Sequence, residues 1–212
     1  MQNKLKIINL ETIDSTNNYA IKLAEEKKEK EIVIIKARMQ TKGRGRFNRS
    51  WLSPKDKGLY VSFLFRPKNK TIEDIFFFPL FFSFAILKTI DNIIKAEIKF
   101  PNDVVVNNKK IAGVLVETKC YNTKVDFVVV GIGINVNSNK NELLDSATSL
   151  YLETNEIYNI DELFKKLTYN VLDIYKKFKD NINLVFEELE KNNISLDDFK
   201  LVNRKKEGLK FL

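Results

Sequence analysis

Three runs rich in β-branched residues, 104–106, 110–118 and 127–134, crowd the middle of the 212-residue chain, and helix-period segments lie on both sides of them. Runs of this length read as consecutive strands, and Asn107-Asn108 between the first two suits a tight hairpin. Residues 6–10, 32–38 and 59–66 read as further strands. Asp14, Ser15, Thr16 and Asn17 offer N-caps for a helix running to about Glu26. Thr71 can cap one helix that carries the Phe-rich segment to about Lys95, with Pro79 tolerable only in a first turn or at a kink. Farther on, Ile160, Leu163, Phe164, Leu167, Val171, Leu172, Tyr175 and Phe178 keep to one face of a 3.6-residue period. Strands in the middle with helices to either side predict an α+β domain, a sheet covered by helices. No repeat and no Pro/Gly/Ser linker divides the chain, so residues 1–212 read as one domain.

Several classes of chemistry are closed from the outset. With no histidine there is no Ser-His or Cys-His pair and no imidazole metal site, and the single Cys120 forms neither an internal disulfide nor a Cys-rich zinc site. A lone thiol and a start without signal-peptide character favour a reducing, cytoplasmic setting. The most apolar stretch, 75–87, is shorter than the roughly 20 residues a membrane span needs and reads as a buried helix, which argues against a membrane partner.

The net charge of +8 matters less than where the charges fall. Lysine is spread through 27–30, 55–57, 68–70, 176–179 and 205–206, as expected of a solvated surface. Arginine occurs only at 38, 44, 46, 49, 66 and 204, so half of it lies in six residues. Six of the seven glycines fall between positions 43 and 133, leaving only Gly208 outside.

Four segments share that region. In 40–51 (QTKGRGRFNRSW), Gly43 and Gly45 let backbone N–H groups approach a ligand, and Arg44, Arg46 and Arg49 can grip a carboxylate or phosphate. The string is neither a Walker A loop nor a dinucleotide fingerprint, and a plain basic surface loop would carry the same letters. Its position in a long connection, 40–58, favours a functional loop. In 99–103 (KFPND), Asn102 and Asp103 stand at a polar corner, where they could equally form a simple turn. In 109–117 (KKIAGVLVE), Lys110 opens a strand in which Ala112 and Gly113 leave room for a ligand. In 131–137 (GIGINVN), Gly131 and Gly133 clear the same face of a strand, and Asn135 offers an amide to a purine edge or a turn.

In this order and spacing, from Asp14 through Gly131 to Asn135, the segments resemble those of the biotin protein ligase family. The resemblance implies the catalytic-domain fold of biotin and lipoate protein ligases, a central mixed, largely antiparallel sheet flanked by helices. It implies two steps: biotin and Mg-ATP give biotinyl-5′-AMP and pyrophosphate, and the adenylate then modifies a lysine on a biotin carboxyl carrier domain of acetyl-CoA carboxylase or a related carboxylase. Carried over by position, Ser15, Thr16 and Asn17 look like partners of biotin's ureido ring, with Gln40 nearby and Gly113 a further biotin-binding candidate. Arg44, Gly45 and Arg46 look like the loop around the biotin carboxylate and the phosphate, and Lys110 like the catalytic cation. Trp51 and Asn135 are candidates for the adenine site, with Arg49 and Asn102 on the ATP side, and Asp103 for orienting the incoming lysine. Mg²⁺ is expected to rest mainly on phosphates.

Two departures are visible: Phe47-Asn48 replaces the family's residue-Gly pair, and Phe100 stands where Trp is common. The first strand begins almost at Met1, and no small C-terminal β-barrel domain is recognised after Leu201-Val202. The expectation is therefore a ligase without the winged-helix domain, not a repressor, with no DNA partner, acting as monomer or homodimer. Two rivals are a nucleic-acid-binding module built on the basic loop, and a lipoate or octanoyl ligase of the same fold. The latter's Arg-Arg-x-Ser-Gly-Gly-Gly loop is not present here.

Overall fold

A computed structural model of the chain describes residues 5–26 and 32–194. The lysines at 27–30 and 205–206, Arg204, Gly208, and the Leu201-Val202 segment after which no small β-barrel domain is recognised lie outside those residues. Among the described residues, seven strands form one sheet in the order β1-β2-β3-β7-β6-β5-β4. They are β1 (Leu5–Ile13), β2 (Ile32–Gln40), β3 (Gly58–Phe65), β4 (Glu97–Lys99), β5 (Asp103–Val106), β6 (Lys109–Tyr121) and β7 (Lys124–Asn135). The β1–β2 pair is parallel, joined across helix α1 (Thr16–Glu26), and every other pairing is antiparallel. The mixed, largely antiparallel sheet is the expected one.

Alternation along the central strands gives the sheet two unlike faces. Val61, Phe63 and Phe65 of β3, Val128, Val130, Ile132 and Ile134 of β7, and Ala112 and Val114 of β6 point to one side and are buried. There they meet α3 (Phe78–Ile90) and the long α5 (Ile160–Asp180), with Phe65 stacked on Tyr175 at 3.9 Å between ring centroids. The other side has far less to bury. Ala20, Leu23 and Ala24 of α1 cover Val33, Ile35, Leu64, Phe127 and Val129, and there the apolar cover ends. Beyond it the same face presents Ser62, Gly131 and Leu115 in one cross-strand row and Gly133 and Gly113 in the next.

The Phe-rich segment is two helices rather than one. Thr71 and Asp74 close a capping box on the short α2 (Ile72–Ile75), the chain breaks at Phe76-Phe77, and α3 starts afresh with Pro79 in its first turn. Proline lacks the N–H that a first turn leaves unpaired, so restarting costs less than threading Pro79 through a helix interior. The helix stops at Ile90, short of Lys95. Asn107 and Asn108 do turn the β5–β6 hairpin, at φ of 50° and 62°, as a two-residue turn with two left-handed positions requires. The polar strand β4 and the last helix α6 (Ile182–Lys191) are additions to the expected elements, and α4 (Leu150–Thr154) is a single short turn.

Candidate active site

The cleft lies where the apolar cover stops, over the glycine rows of β6 and β7. Its walls include Ser15, Thr16 and Asn17 at the start of α1, Gln40 at the end of β2, and Arg44, Gly45, Arg46 and Trp51 of the long loop. Asn102, Lys110 and Gly113 close the far side, with Gly131 and Gly133 beneath. Eleven of the residues picked out from sequence are thus brought together: Ser15, Thr16, Asn17, Gln40, Arg44, Gly45, Arg46, Trp51, Asn102, Lys110 and Gly113.

The glycines are there for clearance, since none of those described has a positive φ. A Cβ on Gly131 would come within 2.1 Å of Asn17 Oδ1, and one on Gly133 within 2.6 Å of the Trp51 ring. Gly113 likewise yields space to the Lys110 side chain.

One end of the cleft is a neutral polar network. Gln40 Oε1 accepts from the Thr16 backbone N–H at 2.8 Å and lies 3.1 Å from the Thr16 hydroxyl, while Gln40 Nε2 donates to Ser53 Oγ at 2.9 Å. Ser62 Oγ stands 2.7 Å from Thr16 Oγ1 and 2.6 Å from Asn17 Oδ1. Ser15 is buried and caps α1, with the Tyr19 N–H on its carbonyl. Just before it, Asp14 accepts from Asn18 Nδ2, and that hydrogen bond holds its carboxyl below the usual range.

The other end is cationic, and each cation already has a partner. Arg44 Nη2 bridges both oxygens of Glu117 at 2.9 and 2.8 Å. Arg46 Nη1 donates to Asn102 Oδ1 at 2.9 Å, and Asn102 is pinned in turn by donating Nδ2 to the Val114 carbonyl. Lys110 Nζ is 2.7 Å from Asp103 Oδ1 and 5.2 Å from the centre of the Trp51 ring. Two donors have no protein acceptor at all: Arg44 Nε and Trp51 Nε1 are buried and unpaired. Orphaned buried donors are costly and rare in finished structure, and two of them on side chains that line one cleft call for an acceptor-rich ligand.

The loop is held closed by its own backbone. Trp51 N–H donates to Gly43 O at 2.9 Å, Gly45 N–H to Arg49 O at 2.7 Å, and Arg44 bridges Ser50. At its tip Phe47 takes a left-handed φ of 55°, so the strain falls on Phe47 and not on the position where the family's glycine stands. Folded in this way, the side chains leave only about 50 Å³ of solvent space, well short of the roughly 300 Å³ and more of a small-molecule site.

Three sequence-picked residues lie elsewhere. Arg49 is exposed and forms no wall of the cleft. Asn135 is buried and donates Nδ2 to the Thr148 carbonyl at 2.9 Å. That places it behind Lys110, whose backbone pairs with Ser146 and Thr148. Asp103 meets the site through its ion pair with Lys110 rather than as a wall. Conversely, Ser62 and Glu117 were not picked out. The one serine in the apolar run of β3, and a carboxylate on the same face of β6 as Gly113, were the signals available.

A family model described as "Biotin/lipoate A/B protein ligase family" matches residues 10–135. The span runs from β1 to the end of β7 and takes in every wall of the cleft. The chain belongs to the biotin/lipoate A/B protein ligase family. Among individual relatives, the bifunctional ligase/repressor BirA of Bacillus subtilis is 36% identical over 149 residues, 66% of this chain but 44% of its own length. The biotin–[acetyl-CoA-carboxylase] ligase of Mycobacterium tuberculosis is 31% identical over 123 residues, 56% of this chain and again 44% of its own length. The chain therefore spans less than half of these relatives. The solved biotin protein ligase of Aquifex aeolicus in complex with biotin and ATP superposes with a TM-score of 0.71 at 33% identity, covering 92% of this chain and 77% of that one. The Leishmania major biotin protein ligase in complex with biotinyl-5-AMP gives the same TM-score at 23% identity over 88% and 80%, a likeness of fold.

Proposed function

We propose that this protein activates biotin with Mg-ATP to biotinyl-5′-AMP and passes the biotinyl group to a lysine of a biotin carboxyl carrier domain, that of acetyl-CoA carboxylase or a related carboxylase. The observation that carries the proposal is the polarity of the cleft. A neutral amide and hydroxyl network fills one end, and three cations with two unpaired donors fill the other, over a floor opened by Gly113, Gly131 and Gly133. A ligand with a compact polar head and an anionic tail matches that division.

In the first step a carboxylate oxygen of biotin attacks the α-phosphorus, an acyl C–O–P link forms, and pyrophosphate departs with the electrons of the broken P–O bond. Two anions must meet, so the barrier is largely charge repulsion, which Lys110, Arg44 and Arg46 offset with the magnesium that accompanies the triphosphate as part of the substrate. Among the described residues, no group of three or more His, Cys, Asp or Glu side chains converges to hold a metal. In the second step the carrier lysine attacks the acyl carbon, AMP leaves, and the amine proton passes to solvent or to Asp103. No step calls for an imidazole. Thr16, Asn17 and Gln40 take the polar head, and Trp51 borders the nucleotide. Because the cleft as folded leaves only about 50 Å³, Arg44, Arg46 and Trp51 swing aside to admit the substrates and close over the adenylate, where excluding water protects it.

Pyrophosphate release dependent on biotin, followed by the mass gain of an apo carrier domain, tests the reading, with lipoate as competitor. Turnover with biotin alone is expected. Turnover with lipoate only, or salt-sensitive nucleic-acid binding with no adenylate formed, would overturn it.

A further inference from the structure

We propose that Glu117 is a positioning residue that sets the hydrogen-bond polarity of the whole biotin end of the cleft, an inference that rests on the biotin reading of the site. Glu117 is not a wall of the cleft. Its Oε2 accepts from Asn17 Nδ2 at 2.8 Å and from Arg44 Nη2 at 2.8 Å, and its Oε1 from the same Arg44 nitrogen at 2.9 Å. It therefore holds a member of the polar network and a member of the cationic end together.

An ionised carboxylate can only accept, and that single fact propagates. Asn17 must turn its Nδ2 toward Glu117, so its Oδ1 faces Ser62. The Ser62 hydroxyl must then give its one proton to Asn17 Oδ1, 2.6 Å away. Its lone pairs then face Thr16 Oγ1 at 2.7 Å, whose single proton is drawn between Ser62 and Gln40 Oε1 at 3.1 Å. Thr16 Oγ1 keeps open acceptor capacity, while Gln40 Oε1 is held by the Thr16 backbone N–H. Without the charge the chain of bonds loses its direction: a neutral amide at position 117 can donate as well as accept, so Asn17 can flip and every bond up to Thr16 reverses. The Leu115 carbonyl also accepts from Asn17 Nδ2, but at 3.4 Å it is the weaker constraint. On the other side, Glu117 occupies only Nη2 of Arg44, which leaves the buried, unpaired Nε to meet the ligand.

Glu117→Gln keeps the shape and removes only the accept-only character. Calorimetric binding of biotin to the full chain, together with steady-state KM for biotin and for ATP, reads the effect. Scrambling a buried network of this kind should weaken biotin binding by about 10- to 100-fold, while KM for ATP moves by less than threefold and the melting temperature stays within a few degrees. As a conservative rescue, Asn17→Asp in the Glu117→Gln background restores an acceptor facing Ser62 and a donor–acceptor match at 117, and should recover part of the lost affinity. Equal losses for biotin and ATP that track a lower melting temperature would mark Glu117 as merely structural and overturn the proposal. So would biotin affinity in Glu117→Gln within twofold of the unmodified protein. If the unmodified protein bound no biotin at all, the reading of the site itself would fall, an outcome distinct from either.

Discussion

Replacing Gly131 with alanine adds one methyl group at the centre of the proposed biotin floor, and its cost can be worked from the structure. The new Cβ would sit 2.1 Å from Asn17 Oδ1, with Asn17 Cγ at 2.8 Å. Ordinary contact begins near 3.4 Å, so the carboxamide must retreat by about 1 Å or more. It has nowhere to retreat without loss: Oδ1 is tied to Ser62 at 2.6 Å and Nδ2 to Glu117 at 2.8 Å. Losing a neutral bond costs about 1 kcal/mol and weakening one to a carboxylate about 1.5 to 3, so the variant should lose about 2 to 4 kcal/mol. In a chain of this size that lowers the melting temperature by about 5 to 15 °C. The variant still folds, because the apolar face of the sheet is untouched, and calorimetry at 20 °C should show biotin affinity reduced by a factor of about 100 or more. Gly133→Ala is the contrast: its Cβ meets the ring of Trp51, a loop side chain with freedom to swing. That variant should keep its melting temperature and biotin affinity while KM for ATP rises. Biotin binding by Gly131→Ala as tight as that of the parent would refute the argument from clearance.

Three further outcomes follow from the same geometry. Lys110→Ala should cut biotin-dependent pyrophosphate release by about 10²- to 10³-fold with circular dichroism and melting temperature little changed, and unchanged turnover would remove Lys110 from the chemistry. Phe47→Asn relieves a left-handed conformation held by an exposed aromatic residue, and should raise stability by about 0.5 to 1 kcal/mol, read as slower proteolysis of the loop; faster cleavage would show that the Phe47 ring over Arg46 outweighs the strain. The carboxyl of Glu188, which burial would raise, is held below its usual value of 4.5 by Lys177 and Lys88, which join α6 to α5 and α3. Because its folded pKa is depressed, its contribution is complete above pH 4.5 and is lost as pH falls through the lower folded value. Glu188→Gln should therefore flatten the stability profile below about pH 4.5, and an unaltered acid limb would count against the network.

How much was legible follows from sequence distance and from residue scarcity. Gly131 and Gly133 announce a cleared strand face because period-two glycines have few other uses, and half the arginines in six residues mark the loop whose Arg44 and Arg46 line the cleft. What could not be read was pairing across the chain. Asn17 and Glu117 are 100 residues apart and Ser62 and Asn17 are 45 apart, so nothing local to either residue reveals the relay. The same holds for Asn135, whose amide suited a purine edge on paper and whose Nδ2 goes to the Thr148 carbonyl. The break at Phe76-Phe77 was half visible, since Pro79 demanded a first turn or a kink, and a fresh first turn satisfied it. β4 carries two charged residues in three and has no strand signature of its own; antiparallel pairing with β5 makes it a strand.

The cations of the cleft are not waiting empty. Arg44 stands on Glu117 and Lys110 on Asp103, so an incoming anion must share or displace a carboxylate. For Asp103 this yields opposite signs in the two half-reactions, which separates a chemical role from a structural one. Asp103→Asn removes the competitor for Lys110 at the stage when phosphate binds. The pair is about one third exposed on both sides, so its release is worth about 1 kcal/mol at most, roughly fivefold in affinity. Adenylate formation should therefore hold steady or improve by up to about fivefold. In the transfer step the carrier amine must shed a proton, and a carboxamide cannot receive it, so transfer from preformed biotinyl-5′-AMP should slow by about 10²-fold or more. Single-turnover measurement of each step on the same preparation gives both numbers. A parallel fall in the two would mean that Asp103 only holds the corner before β5; a fall confined to transfer, deepest at low pH where the amine is fully protonated, would place it beside the acceptor lysine.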